Sequence, residues 1–314
     1  MNFYETIKNY PRQFEYEPKI IGELPKSSKY FVISGMGGSH LAGDILRSFL
    51  NNIFIHKNYG LPNLPKEILK DSLMIALSHS GNTEETIDFF ESARKIKLKV
   101  IALSTNGKLL ELAKKYRIPY IQLPGKDIQP RLALGYHLMT LLKIISPNLF
   151  SQFKKLSQTL NVQELEKLAK KILPKLKNKI PLIYTSEKNE FLAYNLKIKF
   201  NETSKIAAFY NVFPELNHNE IEGVNKKNFT FIFLYDKKDD QRIKKRMRIT
   251  EKILRKKSFD VIKIEIKDIF SLIVLGDFLT YFLAQFYNKD PEKVEIIKKI
   301  KDLIKDEKKN KRLA

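Results

Sequence analysis

The sequence predicts an α/β protein built as two sandwich domains, each a parallel sheet covered by helices, with further helices closing the chain. Three observations carry this reading. Strand-like and helix-like segments alternate along almost the whole chain, the pattern of βαβ units. Strand segments such as DSLMIALSHS hold an unbroken apolar run, as parallel strands buried on both faces do. The chain has 314 residues, a length that suits two medium domains better than one.

The elements follow in order. After an N-terminal helix, KYFVIS is a short β-branched strand ending near Ser34. GMGGSH comes next, then the helical pattern LAGDILRSFL. DSLMIALSHS is a buried strand that runs into a turn, and TEETIDFFESARKI is a helix. KVIALS, LLELAKKY and PYIQLP read as strand, helix and strand, and a long helix covers about residues 130–145. SPNLFSQFKKLSQ connects the halves, which places one domain over residues 1–150 and a second over 151–314. In the second, KIPLIYTS is a strand, NEFLAYNLKIKFNETSK a helix and AAFYNVF a short strand, followed by the turn-rich PELNHNEIEG. NFTFIFLY is a strand, residues 237–257 a basic helix with apolar Ile243, Met247, Ile253 and Leu254 at helical spacing, and DVIKIEI the last strand. Two helices, about residues 269–287 and 291–304, close the chain. The repeat is one of architecture, without a strong sequence period.

Composition narrows the function. Hydrophobic residues make up 43%, enough for a packed core. There is no cysteine, which removes disulfides, cysteine-bound zinc, iron–sulfur clusters and thiol nucleophiles together. No uninterrupted run of 18 apolar residues predicts a spanning helix. The polar N-terminus lacks the apolar core of a signal peptide, so a cytoplasmic location is expected. The net charge is +22, which attracts anions: nucleic acid, membrane surfaces or phosphorylated metabolites. The basic helix lacks the interleaved aromatics of a single-strand-binding surface, so neither a nucleic-acid nor a membrane partner is expected.

Five motifs bear on chemistry. GMGGSH lies between a strand and a helix, where glycines let a backbone approach a ligand. It fails as a dinucleotide fingerprint, because His40 stands where a third Gly or Ala belongs and no acid follows near Phe54, Ile55, His56 and Lys57. It is no phosphate loop of the Walker type either, so a tight turn and a ligand loop both remain open. The second motif sets three hydroxyls, Ser78, Ser80 and Thr83, in one strand-to-helix turn. Asn82 and Glu85 fit a capping pattern, but capping leaves the serines unexplained; hydroxyls at a helix start make a phosphate cradle. Third, Arg131 opens a helix, either as a surface residue or as a functional cation. Fourth, Glu202 in NETSK sits at a helix end that disfavours its charge. Fifth, ELNHNE holds an H-x-E sequence, but a deaminase zinc site also needs cysteines. The five histidines, His40, His56, His79, His137 and His218, are far apart in sequence, so no metal is expected.

Taken together, GMGGSH, SHSGNTEET, PRLALGY, NETSK, ELNHNEIEG and DPEKVEIIKKIK stand in the order and spacing of the bifunctional phosphoglucose/phosphomannose isomerases of prokaryotes, which the chain resembles from YETIKNYPRQFE to Lys301. The resemblance implies two sugar-isomerase (SIS) domains, with the phosphate-binding turns in the first. It implies that Gly37, Gly38, Ser39, Ser78, Ser80 and Thr83 hold the phosphate of a phosphorylated hexose. Glu202 would move a proton between C1 and C2, and Arg131 would stabilise the enediolate. Lys301 would reach the ring-oxygen region. His218 would assist ring opening from the partner subunit of a homodimer. Glucose 6-phosphate and mannose 6-phosphate would interconvert with fructose 6-phosphate, with no cofactor and no metal. His40, His79 and the pair Glu292 and Lys293 depart from the family's usual residues. The alternatives are an isomerase of another sugar phosphate, or a non-catalytic SIS sensor. For the latter, the roughly 30 residues ahead of the first strand are too few for a DNA-binding domain of typical size.

Overall fold

A computed structural model describes residues 2–25, 28–224 and 228–313, with side chains to residue 304. Two open sheets are covered by helices. The first holds β1 (Ile20–Ile21), β2 (Tyr30–Ser34), β3 (Ile53–His56), β4 (Ser72–Leu77), β5 (Lys99–Ser104) and β6 (Tyr120–Gln122), in the order β1-β6-β5-β4-β2-β3. The second holds β7 (Ile180–Ser186), β8 (Phe209–Phe213), β9 (Phe229–Tyr235) and β10 (Asp260–Glu265), in the order β10-β9-β7-β8. Every pair is parallel except β1 with β6. The short strands β1 and β3 were not expected; β1 has two residues and β3 four, too short to stand out from loop.

Helices α1 (Phe3–Lys8), α2 (Leu41–Arg47), α3 (Lys66–Lys70), α4 (Glu84–Lys95), α5 (Gly107–Lys115), α6 (Leu134–Ile145), α7 (Pro147–Lys154) and α8 (Leu156–Thr159) accompany the first sheet. With the second come α9 (Val162–Ile172), α10 (Glu190–Glu202), α11 (Gln241–Lys256), α12 (Ile269–Phe286) and α13 (Glu295–Leu313). The basic helix is α11. It buries Met247, Thr250 and Leu254, with Ile243 partly buried, but leaves Ile253 exposed at 45%, so the expected apolar face is narrower.

One apolar core runs between the two sheets. It joins Ile33 and Ile75 of the first sheet to Ile183 and Ile232 of the second. The N-terminal segment lies in it too: Phe14 packs edge-on against Phe270 of α12, with ring centroids 5.0 Å apart. By length and composition α12 is apolar enough to cross a bilayer, although Ser271, Asp277 and Thr280 break its apolar run. Two thirds of it (67%) is buried inside the protein, as in the core helix of a globular fold.

Candidate active site

Each sheet reverses once, at β2 in the first and at β7 in the second, and the hydroxyl-bearing turns lie at the first of these. From β2 the chain moves out to β3, then crosses back to β4 on the other side of β2. Ligands of open α/β sheets bind at the carboxyl ends of strands where the order reverses in this way. Both hydroxyl-rich turns fall there, one at Gly37–Ser39 after β2 and one at residues 78–83 after β4.

The two turns are bonded to one another. The His79 backbone N–H donates to Ser39 Oγ at 3.2 Å. Ser78 Oγ donates to Thr83 Oγ1 at 2.9 Å, and the Asn82 N–H donates to Ser80 Oγ at 3.3 Å. The oxygens of Ser39, Ser80 and Thr83 thus serve as acceptors inside the protein, which leaves their three hydroxyl protons for an anion. Ser78 spends its proton on Thr83, so it supports the cradle from beneath. Asn82 does not cap its own helix: Thr83 is the N-cap of α4, and Asn82 Oδ1 accepts from the Lys108 N–H at 3.1 Å, at the start of α5. The expected capping pair with Glu85 therefore gives way to a bond across two turns.

Gly38 brings Arg131 to these turns. A Cβ on Gly38 would lie 2.8 Å from Arg131 N and 2.9 Å from Pro130 C, so only glycine allows the approach. Pro130, Arg131 and Leu132 form a single 3-10 turn, and α6 starts only at Leu134, later than the sequence suggested. Arg131 is no surface residue, being 1% exposed. Its Nε donates to Thr203 Oγ1 at 2.9 Å, and its Nη1 to Gln129 Oε1 at 3.3 Å and Glu202 Oε2 at 3.2 Å. Its Nη2 donates to the Pro291 carbonyl. Burial draws the guanidinium down from its usual value, and the Glu202 and Asp277 carboxylates oppose that.

Glu202 ends α10, one face against Arg131 and the other open, with its side chain 25% exposed. It lines a cavity of about 670 Å³ together with Lys205, Ile206, Asp290, Lys293 and Ile297. The helix stops short of the expected end at Lys205, which takes a positive φ of 60°. Lys205 Nζ donates to the Glu202 and Lys293 carbonyls. Burial and then the Arg131 charge hold the Lys205 ammonium below its usual value. Sequence reasoning missed Lys205, Thr203 and Gln129; the first two lie within NETSK, beside Glu202, which was the available signal.

Two histidines far apart in sequence meet behind the cradle. His79 Nε2 lies 3.1 Å from the Gly125 carbonyl and His79 Nδ1 lies 2.9 Å from His137 Nε2. A carbonyl only accepts, so His79 carries its proton on Nε2 and His137 donates to Nδ1. Burial holds both imidazoles below their usual value, His137 well below. Among the described residues no group of three or more His, Asp or Glu is placed to hold a metal ion.

Neither His218 nor Lys301 is among the described residues that line the cavity. α10 runs from the carboxyl end of β7 to the amino end of β8, and Glu202 is its last residue. His218 follows the carboxyl end of β8, exposed in a 3-10 turn. Fifteen residues, 203–217, stand between them in the chain, five of which form β8. Lys301 is exposed on α13, one turn beyond the cavity residue Ile297.

Solved structures of several enzymes named for phosphorylated sugars share this fold. The tagatose-6-phosphate ketose/aldose isomerase of Escherichia coli is similar in fold, with a TM-score of 0.71 at 15% identity, covering 92% of this chain and 95% of that one. The glucosamine-6-phosphate deaminase of Thermotoga maritima has a TM-score of 0.66 at 15% identity, covering 92% and 95%. Residues 165–304 match the model of the bacterial phospho-glucose isomerase C-terminal SIS domain. The bifunctional phosphoglucose/phosphomannose isomerase of Aquifex aeolicus is 32% identical over 96% of this chain and 98% of its own length. That of Caldicellulosiruptor bescii is 33% identical over 96% and 100%. The chain belongs to the bifunctional phosphoglucose/phosphomannose isomerase family.

Proposed function

We propose that the protein interconverts glucose 6-phosphate and mannose 6-phosphate with fructose 6-phosphate through a cis-enediol. The observation that carries this is the Glu202 carboxylate, held 3.2 Å from a buried arginine at the rim of a cavity. A carboxylate with one face free is a base, and a guanidinium beside it is a fixed positive charge for an oxyanion. Gly38 sets the hydroxyl cradle against the backbone of that same arginine.

The steps follow from these groups. The phosphate rests on the hydroxyls of Ser39, Ser80 and Thr83, with Gly37, Gly38 and Ser78 shaping the cradle. Glu202 takes the proton from C2 of the open aldose. The C–H electrons form the C1–C2 double bond, and the carbonyl electrons move onto O1. Arg131 Nη1 exchanges Glu202 for that oxygen. The proton of the C2 hydroxyl passes to O1, and as Glu202 returns its proton to C1 the O2 electrons form the C2 carbonyl, giving the ketose with a C1 hydroxyl. C2 is planar in the intermediate, so one base serves both aldoses. Ring opening needs an acid–base group near the ring oxygen. His218 would serve here from the second copy of a dimer, as the family resemblance implies. Lys301 is the second candidate for the ring oxygen, from α13. A non-catalytic sensor is not favoured, since relatives named as enzymes match the whole length.

A coupled assay with glucose 6-phosphate and mannose 6-phosphate, offered separately, tests the reading. Both are expected to turn over, and Glu202→Gln is expected to lower kcat by on the order of a hundredfold or more. Near-normal kcat in that variant would remove Glu202 from the role.

A further inference from the structure

The steps above leave one pair of buried charges unused. Lys199 is 0% exposed and Asp277 1%, with Nζ 2.6 Å from Oδ1. Lys199 Nζ also donates to the Ile273 carbonyl at 2.7 Å. Withdrawing two charges from water is often no more stabilising than an apolar pair of the same volume, so packing alone does not account for them.

Their position does. Lys199 lies one turn before Glu202 on α10, and its carbonyl accepts from the Thr203 N–H at 2.9 Å. Thr203 Oγ1 is the group that receives Arg131 Nε. Just beyond Glu202, Ser204 Oγ donates to the Thr280 carbonyl at 2.9 Å. Asp277 and Thr280 both belong to α12. The last turn of α10 is therefore fastened to α12 on both sides of Glu202.

The charges fit the same picture. Asp277 is, after Glu202, the next carboxylate that favours the charge of Arg131. Its Oδ2 is buried without a hydrogen-bond partner among the described residues. Arg131, Lys199, Glu202 and Asp277 sum to no net charge at rest. Once Glu202 takes a proton, the guanidinium exchanges that carboxylate for the enediolate oxygen, and Asp277 stays ionised as the next carboxylate that favours its charge.

We infer that Lys199 and Asp277 are positioning residues for the proton transfer: the pair fixes the turn that carries Glu202, and Asp277 holds Arg131 in place while Glu202 is protonated. The inference rests on the reading of Glu202 as the base. Two variants test it. Asp277→Asn removes one charge and keeps the shape. Lys199→Met/Asp277→Leu removes both at similar volume, and guards against misfolding from a lone buried ammonium. In folded protein, kcat for glucose 6-phosphate is expected to fall about tenfold or more in both while KM moves less than about threefold. By NMR with nitrogen-labelled arginine, the Arg131 Nε–H, held by Thr203 in the wild type, is expected to exchange with water about tenfold faster in both. A folded double variant with wild-type kcat and wild-type exchange overturns the inference. So does a fall in kcat matched by KM, by thermal stability and by faster exchange at every arginine, which would make the pair merely structural. Faster exchange at Arg131 alone with unchanged kcat overturns it as well, since the loosened turn would then not bear on proton transfer, whereas near-normal kcat in Glu202→Gln would remove the reading on which the inference rests.

Discussion

Gly38→Ala puts the proposed link between the phosphate cradle and Arg131 to a direct test. The added Cβ would stand 2.8 Å from Arg131 N, 2.9 Å from Pro130 C and 3.0 Å from Arg131 Cα. Ordinary contact begins at 3.4 Å, so the two turns must part by roughly half an ångström. All three neighbours are backbone atoms, and no flexible side chain stands ready to move aside. Overpacking of this kind costs about 1–3 kcal/mol, which lowers the thermal midpoint by on the order of 5 °C. The larger effect is expected on catalysis. A misplacement of about 1 Å costs about a hundredfold in rate, so half of that costs on the order of tenfold in kcat. Gly37→Ala is the control. Gly37 has a φ of +55° but nothing within 4 Å of an added Cβ. It should lose about 1 kcal/mol of stability to left-handed strain and move the two turns no further apart. The assay is coupled turnover of glucose 6-phosphate with a thermal melt of each variant. Wild-type kcat in Gly38→Ala would refute the argument that this contact sets the cradle against Arg131.

Three more outcomes are expected. Ser80→Ala and Thr83→Ala should each lose about 1.5–3 kcal/mol of binding to a phosphorylated substrate; an equal loss for an unphosphorylated sugar would point to misfolding instead. Burial lowers His79 and, further, His137 in the fold while unfolded histidine titrates near 6.5, so below that pH the unfolded chain binds more protons than the native one. Stability should thus be fully present above about pH 6.5 and fall as the pH drops below it toward the folded values, with His137 the larger contributor; equal pH dependence of the melting midpoint in wild type and His137→Leu would contradict this. Inactive Glu202→Gln and His218→Ala chains, mixed and allowed to exchange, should regain about a quarter of wild-type activity per site, since about half the dimers are mixed and each holds one intact site. Exchange seen by mass without returning activity would place His218 in its own chain's site.

The parts of this molecule that were legible in the sequence are those written locally. An apolar run followed by hydroxyls and a helix start is contained within a dozen residues, and so the turns after β2 and β4 were found. The residues alone left Arg131 open between a surface and a functional cation, because its burial depends on acceptors at Gln129, Glu202, Thr203 and Pro291, which only the fold brings together. Asn82 was misread for the same reason: its partner is Lys108, 26 residues on. The histidines looked isolated because His79 and His137 are 58 residues apart.

One long-range feature did leave a local trace. Residues 269–286 read IFSLIVLGDFLTYFLAQF, and a single carboxylate stands in the middle of that apolar stretch. A helix buried to this extent does not carry an aspartate without a partner, because an isolated buried charge costs several kcal/mol. Asp277 therefore announces a cation elsewhere in the chain, while the sequence leaves its identity open among 57 lysines and arginines. The fold selects Lys199, one turn from Glu202. Gly276, beside Asp277, makes room for it: a Cβ there would meet Leu196 Cδ1 at 3.0 Å and Lys199 Cδ at 3.5 Å. The Gly-Asp pair in α12 is thus the seat of the lysine. The same contact binds the most apolar helix of the second half to the turn that carries the proposed base.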